Sequence, residues 1–246
     1  MSLEPIFALL LVCFRTTALI ASAPVLSARF IPSRIKLSLG LVVGAIAWSA
    51  AGMPKVAIPA DVFHLAATAL SEVLVGLCAG LASRVLFEAA QTGGQVAGTS
   101  MGFGFGALLD PSSGAQSSAL GELYQALALA AAIGLGLHHE AISWLVRSVQ
   151  QVPPGGVVDV PSLCRALVTQ SALSLALITR VAWPVLAVTA LTYGVLGLIG
   201  RTAPQLQLGN LGFGAAVLSG GTAFYLTAPA AAQLCARAAA ELFGGA

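Results

Sequence analysis

Apolar residues run along this chain in long, nearly uninterrupted stretches, with short polar segments between them. A helix that crosses a bilayer needs about 20 mostly apolar residues, and these stretches reach that length. The polar segments at 27–36, 53–61 and 151–161 carry the prolines, glycines and charges that are typical of connections. The pattern therefore predicts helices over roughly 5–27, 37–54, 62–82, 85–108, 119–146, 163–200 and 211–236.

The stretch 163–200 is too long for one straight span. At about 1.5 Å per residue it would approach twice the thickness of the hydrocarbon core. Arg180 and Pro184 lie in its middle, and proline removes a backbone N–H from the helix ladder. We expect a break or kink there, which gives two helices or one bent hairpin arm. In the preceding connection, "PPGG" at 153–156 cannot continue a helix and predicts a firm turn.

The composition indicates the solvent. Hydrophobic residues make up 58% of the 246 residues and charged residues only 8%, whereas a soluble domain carries about 25% charged residues. The sequence therefore predicts an all-α integral membrane protein of about six to seven apolar helices in contact with lipid, with residues 1–246 forming a single membrane-embedded subunit. A net charge of +2 gives no indication of a nucleic-acid partner.

Several charged residues fall inside or at the edges of the apolar stretches. Such residues normally face a protein interior, a water-filled cavity or an opposite charge, because facing lipid is costly. Arg84 and Glu88 are four apart and can pair on one helix face. Glu72 and Glu122 have no local partner, so they need cations from other segments or other chains. At helix ends, as for Arg201 or Arg84, snorkelling to the polar boundary is the alternative. The predicted buried charge contacts are Arg15, Glu72, Arg84, Glu88, Glu122 and Arg180.

A stripe of glycines marks the stretch 85–108. Gly94, Gly98, Gly102 and Gly106 recur at every fourth position, and small residues at this spacing let helix backbones approach closely inside membranes. Four residues turn a helix by about 400° rather than 360°, so the stripe drifts around the helix. It predicts helix packing against an obliquely wrapped partner, or a segment that stops being a regular helix near Gly102.

Catalytic motifs are missing from the sequence. "LHHE" at 137–140 lacks the spacing that places two histidines and a base on one helix face. "GFGFG" at 102–106 has no following lysine and no strand context, so it does not indicate a nucleotide loop. The four cysteines stand singly in apolar stretches and argue for neither disulfides nor a metal site. We expect no enzymatic activity, no catalytic residues, no cofactor and no metal.

Four blocks of the sequence resemble the FliR/SctT family of export-gate proteins, found in the bacterial flagellum and in the related type III secretion injectisome. The blocks occur in the family's order and span most of the chain. The short "DPSSGAQ" loop is more similar to the flagellar branch, and the injectisome branch is the alternative. The blocks are "ASAPVLSARFIPSRIKLSLGLVV" (21–43), "SEVLVGLCAGLASRVLFEAAQTGGQVAGTSMGFGFGALLDPSSGAQ" (71–116), "VRSVQQVPPGG" (146–156) and "IGRTAPQLQLGNLGFG" (199–214).

The resemblance implies an all-α fold of kinked helical hairpins that packs in a helical hetero-oligomer. FliP-like and FliQ-like subunits would join this chain to form a closed pore for unfolded export substrates, with an FlhB-like protein around them. The assembly would lie in the bacterial inner membrane, at the base of a flagellar basal body or injectisome. The segment 103–116 would act as a pore plug, since irregular backbone at membrane depth is tolerated where it lines a protein cavity. The plug residues would be Phe103, Phe105, Leu108, Leu109, Asp110 and Pro111.

Two other membrane functions are compatible with the pattern. An ion-coupled transporter subunit would use lone charges and broken helices near the bilayer midplane, and it predicts an inverted repeat. A membrane scaffold without a pore predicts no plug-like loop that faces a cavity.

Overall fold

The computed structural model describes residues 3–24, 32–103, 119–156, 158–202 and 208–244. Within these ranges the chain forms seven α-helices and no strand, which confirms the predicted all-α class. The helices are α1 (Glu4–Ser22), α2 (Ser33–Ala50), α3 (Val62–Ser100), α4 (Ala119–Gly134), α5 (Leu137–Gln151), α6 (Val160–Thr202) and α7 (Leu208–Gly244).

The helices also confirm an integral membrane protein. In length and composition α1, α2, α3 and α6 are each able to cross a bilayer, and α4 with α5 adds a fifth span if the pair counts as one broken span. The helix α7, which contains the predicted span 211–236, is not among them. The helices α3 and α6 have 39 and 43 residues, and at about 1.5 Å per residue both exceed the hydrocarbon thickness.

The predicted division between 62–82 and 85–108 was wrong, because both belong to α3. Arg84 marked the boundary in the sequence, but a charged side chain does not interrupt a helix. The helix ends before residue 108, through a glycine-based C-terminal motif. Gly102 has a left-handed φ of 93°, the Phe103 N–H donates to the Gly98 carbonyl oxygen at 3.0 Å, and the Gly102 N–H donates to Thr99 O at 3.0 Å.

Two other predicted boundaries differ from the structure. The stretch 119–146 is two helices, α4 and α5, because Gly136 adopts a left-handed φ of 79°, a conformation that glycine reaches without steric cost. Of the two outcomes expected for 163–200, two separate helices is wrong, because α6 continues through Pro184, and one bent arm stays a prediction. The proline removes one N–H from a long ladder, and membrane helices tolerate it through local adjustment of the freed carbonyl.

The chain forms two compact units, each built from segments that are separate in sequence. Unit 1 consists of Met1–Val85, Leu135–Ala172 and Ala239–Ala246, and unit 2 of Leu86–Gly134 and Leu173–Ala238. Each has its own apolar core. The core of unit 1 contains Val12, Ala47, Leu145 and Val149 from α1, α2 and α5. The core of unit 2 contains Ala97, Val185 and Ala223 from α3, α6 and α7, together with Met101 just after α3.

Glycines bring two helices close to α1 in unit 1. A Cβ added at Gly44 of α2 would lie 3.1 Å from the Cα of Cys13, and one at Gly40 would overlap the Thr17 side chain. On α3, a Cβ at Gly76 would overlap the Arg15 carbonyl oxygen, and one at Gly80 would lie 2.8 Å from Leu19 O. The helix α1 is thus held between α2 and α3, and about half of its residues are buried.

Candidate functional site

The interior of unit 1 contains an ion pair between α1 and α3. The Nε of Arg15 donates to Oε2 of Glu72 at 2.6 Å, and the two side chains are 0% and 1% exposed. Burying either charge alone would be costly, whereas the pair is neutral as a whole. Both residues were predicted as buried charge contacts, and the structure shows them as each other's partners across 57 positions of sequence.

The same guanidinium binds the end of α5. Nη1 of Arg15 donates to the carbonyl oxygen of Ser148 at 2.9 Å and to its Oγ at 2.8 Å, and Nη2 donates to the Val152 carbonyl oxygen at 3.1 Å. The last carbonyls of a helix have no partner inside it, and they carry the negative end of its dipole. The positive charge of Arg15 is therefore balanced by two groups, the Glu72 carboxylate and the carbonyl oxygens at the C-terminus of α5.

The second oxygen of Glu72 holds the turn that follows α5. The Gly155 N–H donates to Oε1 of Glu72 at 2.9 Å. The Gly156 N–H donates to Pro153 O at 2.9 Å, and the φ of 76° at Gly155 matches a type II turn with proline before it. This is the turn that the "PPGG" sequence predicted. We call Arg15, Glu72, Ser148, Val152 and Gly155 the Arg15 cluster.

Gly76 explains how Glu72 reaches the guanidinium. It lies one helical turn after Glu72 on α3, so both face α1. The Gly76 backbone lies against the carbonyl oxygen of Arg15 itself, at a distance that leaves no room for a side chain. The close approach of the two backbones and the buried ion pair therefore depend on each other. Together these contacts join α1, α3, α5 and the 153–156 turn.

The other predicted charge contacts lie nearer the surface of this chain. Glu88 is half-buried, whereas the side chains of Arg84, Glu122 and Arg180 are exposed. For these three the expected burial stays a prediction about a larger assembly.

The glycines of the predicted stripe that the structure describes differ in what they contact within unit 2. A Cβ added at Gly94 would lie 2.7 Å from Cδ2 of Tyr124 and 2.8 Å from Cα of Gly121, so Gly94 packs on the chain's own α4. Gly98 is buried in α3, and Gly102 ends that helix. Gly106 lies outside the described residues.

Only the first of the predicted plug residues is described. Phe103 is about half exposed and follows the glycine that ends α3. Its ring contacts Phe213 of α7 edge-on, with 6.4 Å between the ring centres. The remaining predicted residues lie outside the described ranges: Phe105, Leu108, Leu109, Asp110 and Pro111.

The glycines that surround α1 were not among the residues predicted from the sequence. The pairs Gly40–Gly44 and Gly76–Gly80 have the same four-residue spacing as the stripe that was noticed, so this signal was available. Ser148 and Gly155 were also missed, and no local signal marks them as partners of a charge. In the described part of the chain no three His, Cys, Asp or Glu side chains converge as metal ligands.

Comparison with known proteins places the chain in a family. The family model described as bacterial export proteins, family 1, matches residues 6–242. The flagellar biosynthetic protein FliR of Escherichia coli (strain K12) is 30% identical over 93% of this chain and 87% of its own length. The protein of that name from Bacillus subtilis (strain 168) is 29% identical over 59% of this chain and 55% of its own. The one from Caulobacter vibrioides is 25% identical over 80% and 79%. With a match that extends from α1 to α7, the chain belongs to the bacterial export proteins of family 1.

Proposed function

We propose that this chain is a subunit of the type III protein export gate of the bacterial flagellum. The observation that carries the proposal is the family match over 6–242 together with the 30% identity to a flagellar biosynthetic protein. The subunit packs with FliP-like and FliQ-like proteins and contacts an FlhB-like protein in the bacterial inner membrane. Its role is to build and close a pore for unfolded export substrates, without a catalytic step.

The surface of unit 2 supports packing against other subunits. Large apolar side chains on α6 and α7, such as Trp183, Leu191 and Tyr225, are between 65% and 79% exposed. Lipid or protein could cover these side chains. Arg180 favours protein or pore water, because it is exposed near the middle of the membrane-length helix α6 and a guanidinium that faces lipid is costly.

Replacing Arg180 by alanine is expected to weaken assembly. Leaving its partner group unpaired costs about 1–3 kcal/mol, so several-fold less FliP-like and FliQ-like protein should copurify with the tagged chain. The matched control is Arg201→Ala, which removes an exposed arginine from the end of α6, where the side chain can reach the polar boundary. Equal recovery with both variants would contradict an assembly role for Arg180.

The segment 103–116 is proposed to close the pore. Deleting residues 108–113 removes two leucines and the Asp-Pro pair of the sequence, and changes the closure entropy of the connection by only about 1 kcal/mol. We expect the complex to assemble while ions and small metabolites leak through the resting gate. Copurification and small-molecule uptake are measured in the same cells.

A length-matched replacement of 108–113 by glycine and serine serves as the second variant. It keeps the connection between α3 and α4 but removes the apolar side chains, so it should leak as well. Poor assembly with an intact barrier would show instead that the segment is a folding connector. An assembled complex without a leak would also contradict the plug.

A further inference from the structure

Two pockets of unit 1 meet at the C-terminal end of α7. The first has a volume of about 200 Å³ and an apolar lining from α3, α5, α6 and α7 that includes Val75, Ala79, Ala82, Trp144, Leu167 and Phe243. The second has a volume of about 330 Å³, and its lining includes Glu140 and Glu241 beside Gly244. One pocket is thus suited to hydrocarbon and the other to a cation.

Arg147 of α5 binds the end of α7, at two residues that line these pockets. Its Nη2 donates to the carbonyl oxygen of Phe243 at 2.6 Å, and its Nη1 donates to that of Gly244 at 3.4 Å. Phe243 lines the apolar pocket and Gly244 lines the acidic one. The Nε of Arg147 is buried without a hydrogen-bond partner among the described residues, and neither ion pair found in this part of the chain includes it.

We propose that unit 1 binds one aminophospholipid of the phosphatidylethanolamine type. An acyl chain fills the apolar pocket, the phosphate accepts hydrogen bonds from Arg147, and the ammonium enters the pocket of Glu140 and Glu241. The order of apolar, cationic and anionic surfaces along the site matches the order of acyl chain, phosphate and ammonium in such a lipid.

The apolar pocket favours an acyl chain over water. A buried water needs two to four polar partners, and the lining side chains are hydrocarbon apart from the Cys78 thiol and the indole N–H of Trp144. Two of the walls belong to α3 and α6, which are long and apolar enough to span the membrane. Lipid acyl chains are therefore the apolar molecules that surround these helices. Trp144 and Phe243 pack edge-on with 5.8 Å between ring centres and form one wall of the pocket.

The acidic pocket favours a primary ammonium as head group. Glu241 lies in the last turn of α7, where the helix dipole adds negative potential, and Glu140 of the first turn of α5 adds a second carboxylate. A primary ammonium donates three hydrogen bonds, whereas a trimethylated one donates none. The site therefore discriminates phosphatidylethanolamine from phosphatidylcholine.

Photo-cross-linking tests the proposal on the full chain in its purified complex. The complex is reconstituted into nanodiscs of phosphatidylglycerol with either phosphatidylethanolamine or phosphatidylcholine, with a trace of the same lipid carrying a diazirine in its acyl chain. We expect cross-links to concentrate on 75–82 and 163–167. The ethanolamine probe should label them about tenfold more strongly, which is the discrimination that one charge-assisted hydrogen bond supplies.

Variants separate the acyl pocket from the head-group pocket. Ala79→Trp fills the apolar pocket and should reduce labelling by about tenfold, since an indole leaves no room for chain methylenes. Ala66→Trp places the same side chain at an exposed position on the opposite face of α3 and should leave labelling unchanged. Ala166→Phe, at the exposed edge of the pocket, is the second filling variant if Ala79→Trp does not fold. Glu241→Gln should abolish the preference for ethanolamine and keep acyl labelling.

Three results would overturn the proposal. Labelling that spreads evenly over the lipid-facing helices would show that the pocket holds no bound chain. Equal labelling by the two probes would show that the site does not select an aminophospholipid. Cross-links from a partner subunit at 75–82 in place of lipid would show that a protein side chain occupies the pocket.

Discussion

Replacing Glu72 by glutamine is expected to destabilise the purified chain by about 3–5 kcal/mol, because it leaves the buried Arg15 guanidinium without its counter-charge. The substitution preserves the shape of the side chain and an oxygen for the Gly155 N–H, so the loss reports the charge. Thermal denaturation in detergent measures it, and the midpoint should fall by on the order of 10 °C. His64→Ala is the control, because it removes an exposed hydrogen bond to Asp61, and even a charged pair at the surface is worth at most about 1 kcal/mol.

A double-mutant cycle distinguishes a pair from a larger cluster. Combining Arg15→Met with Glu72→Leu should cost less than the sum of the two single changes by about 2 kcal/mol, since no lone charge stays buried. Exchanging the residues, with Arg15→Glu and Glu72→Arg, keeps opposite charges but directs a carboxylate at the carbonyl oxygens of α5. We expect no rescue from this exchange. Rescue to wild-type stability would show that the ion pair alone matters and that the contacts to α5 do not.

Gly76→Ala is expected to be the most damaging single methyl addition in unit 1. The new Cβ would overlap the Arg15 carbonyl oxygen, which is backbone and cannot rotate away. The helices α1 and α3 must then separate, so the cost of overpacking, about 1–3 kcal/mol, adds to weakened contacts in the Arg15 cluster. The measurement is thermal denaturation of the purified chain together with its steady level in membranes.

Two other glycines give a graded comparison. Gly44→Ala places its Cβ 3.1 Å from Cys13, a contact that a small shift relieves, so its effect should be intermediate. Gly194→Ala meets nothing within 4 Å and replaces a helical glycine, so a gain of up to about 1 kcal/mol is expected. If Gly76→Ala and Gly194→Ala behaved alike, close packing of α3 on α1 would not limit stability.

Local features of the sequence were enough to predict several parts of this protein. Long apolar stretches predict helices, because each backbone polar group must be satisfied within its own segment in a membrane. "PPGG" predicted the turn at 153–156, since proline and glycine restrict or extend φ wherever they occur. Four blocks of the sequence, taken in order, resembled an export-gate family, and the family match over 6–242 confirms that resemblance.

Tertiary structure decided what local features could not. The cation that neutralises Glu72 lies 57 residues away on α1, and its other partners lie at the end of α5, so only the packing of three helices brings them together. Similar sequence signals also had different outcomes. Gly102 ends a helix, whereas Gly94 and Gly76 sit inside one against a neighbour, and Pro184 does not end α6. The difference arises because a glycine or a proline only permits a conformation, and the surrounding helices determine which one is adopted.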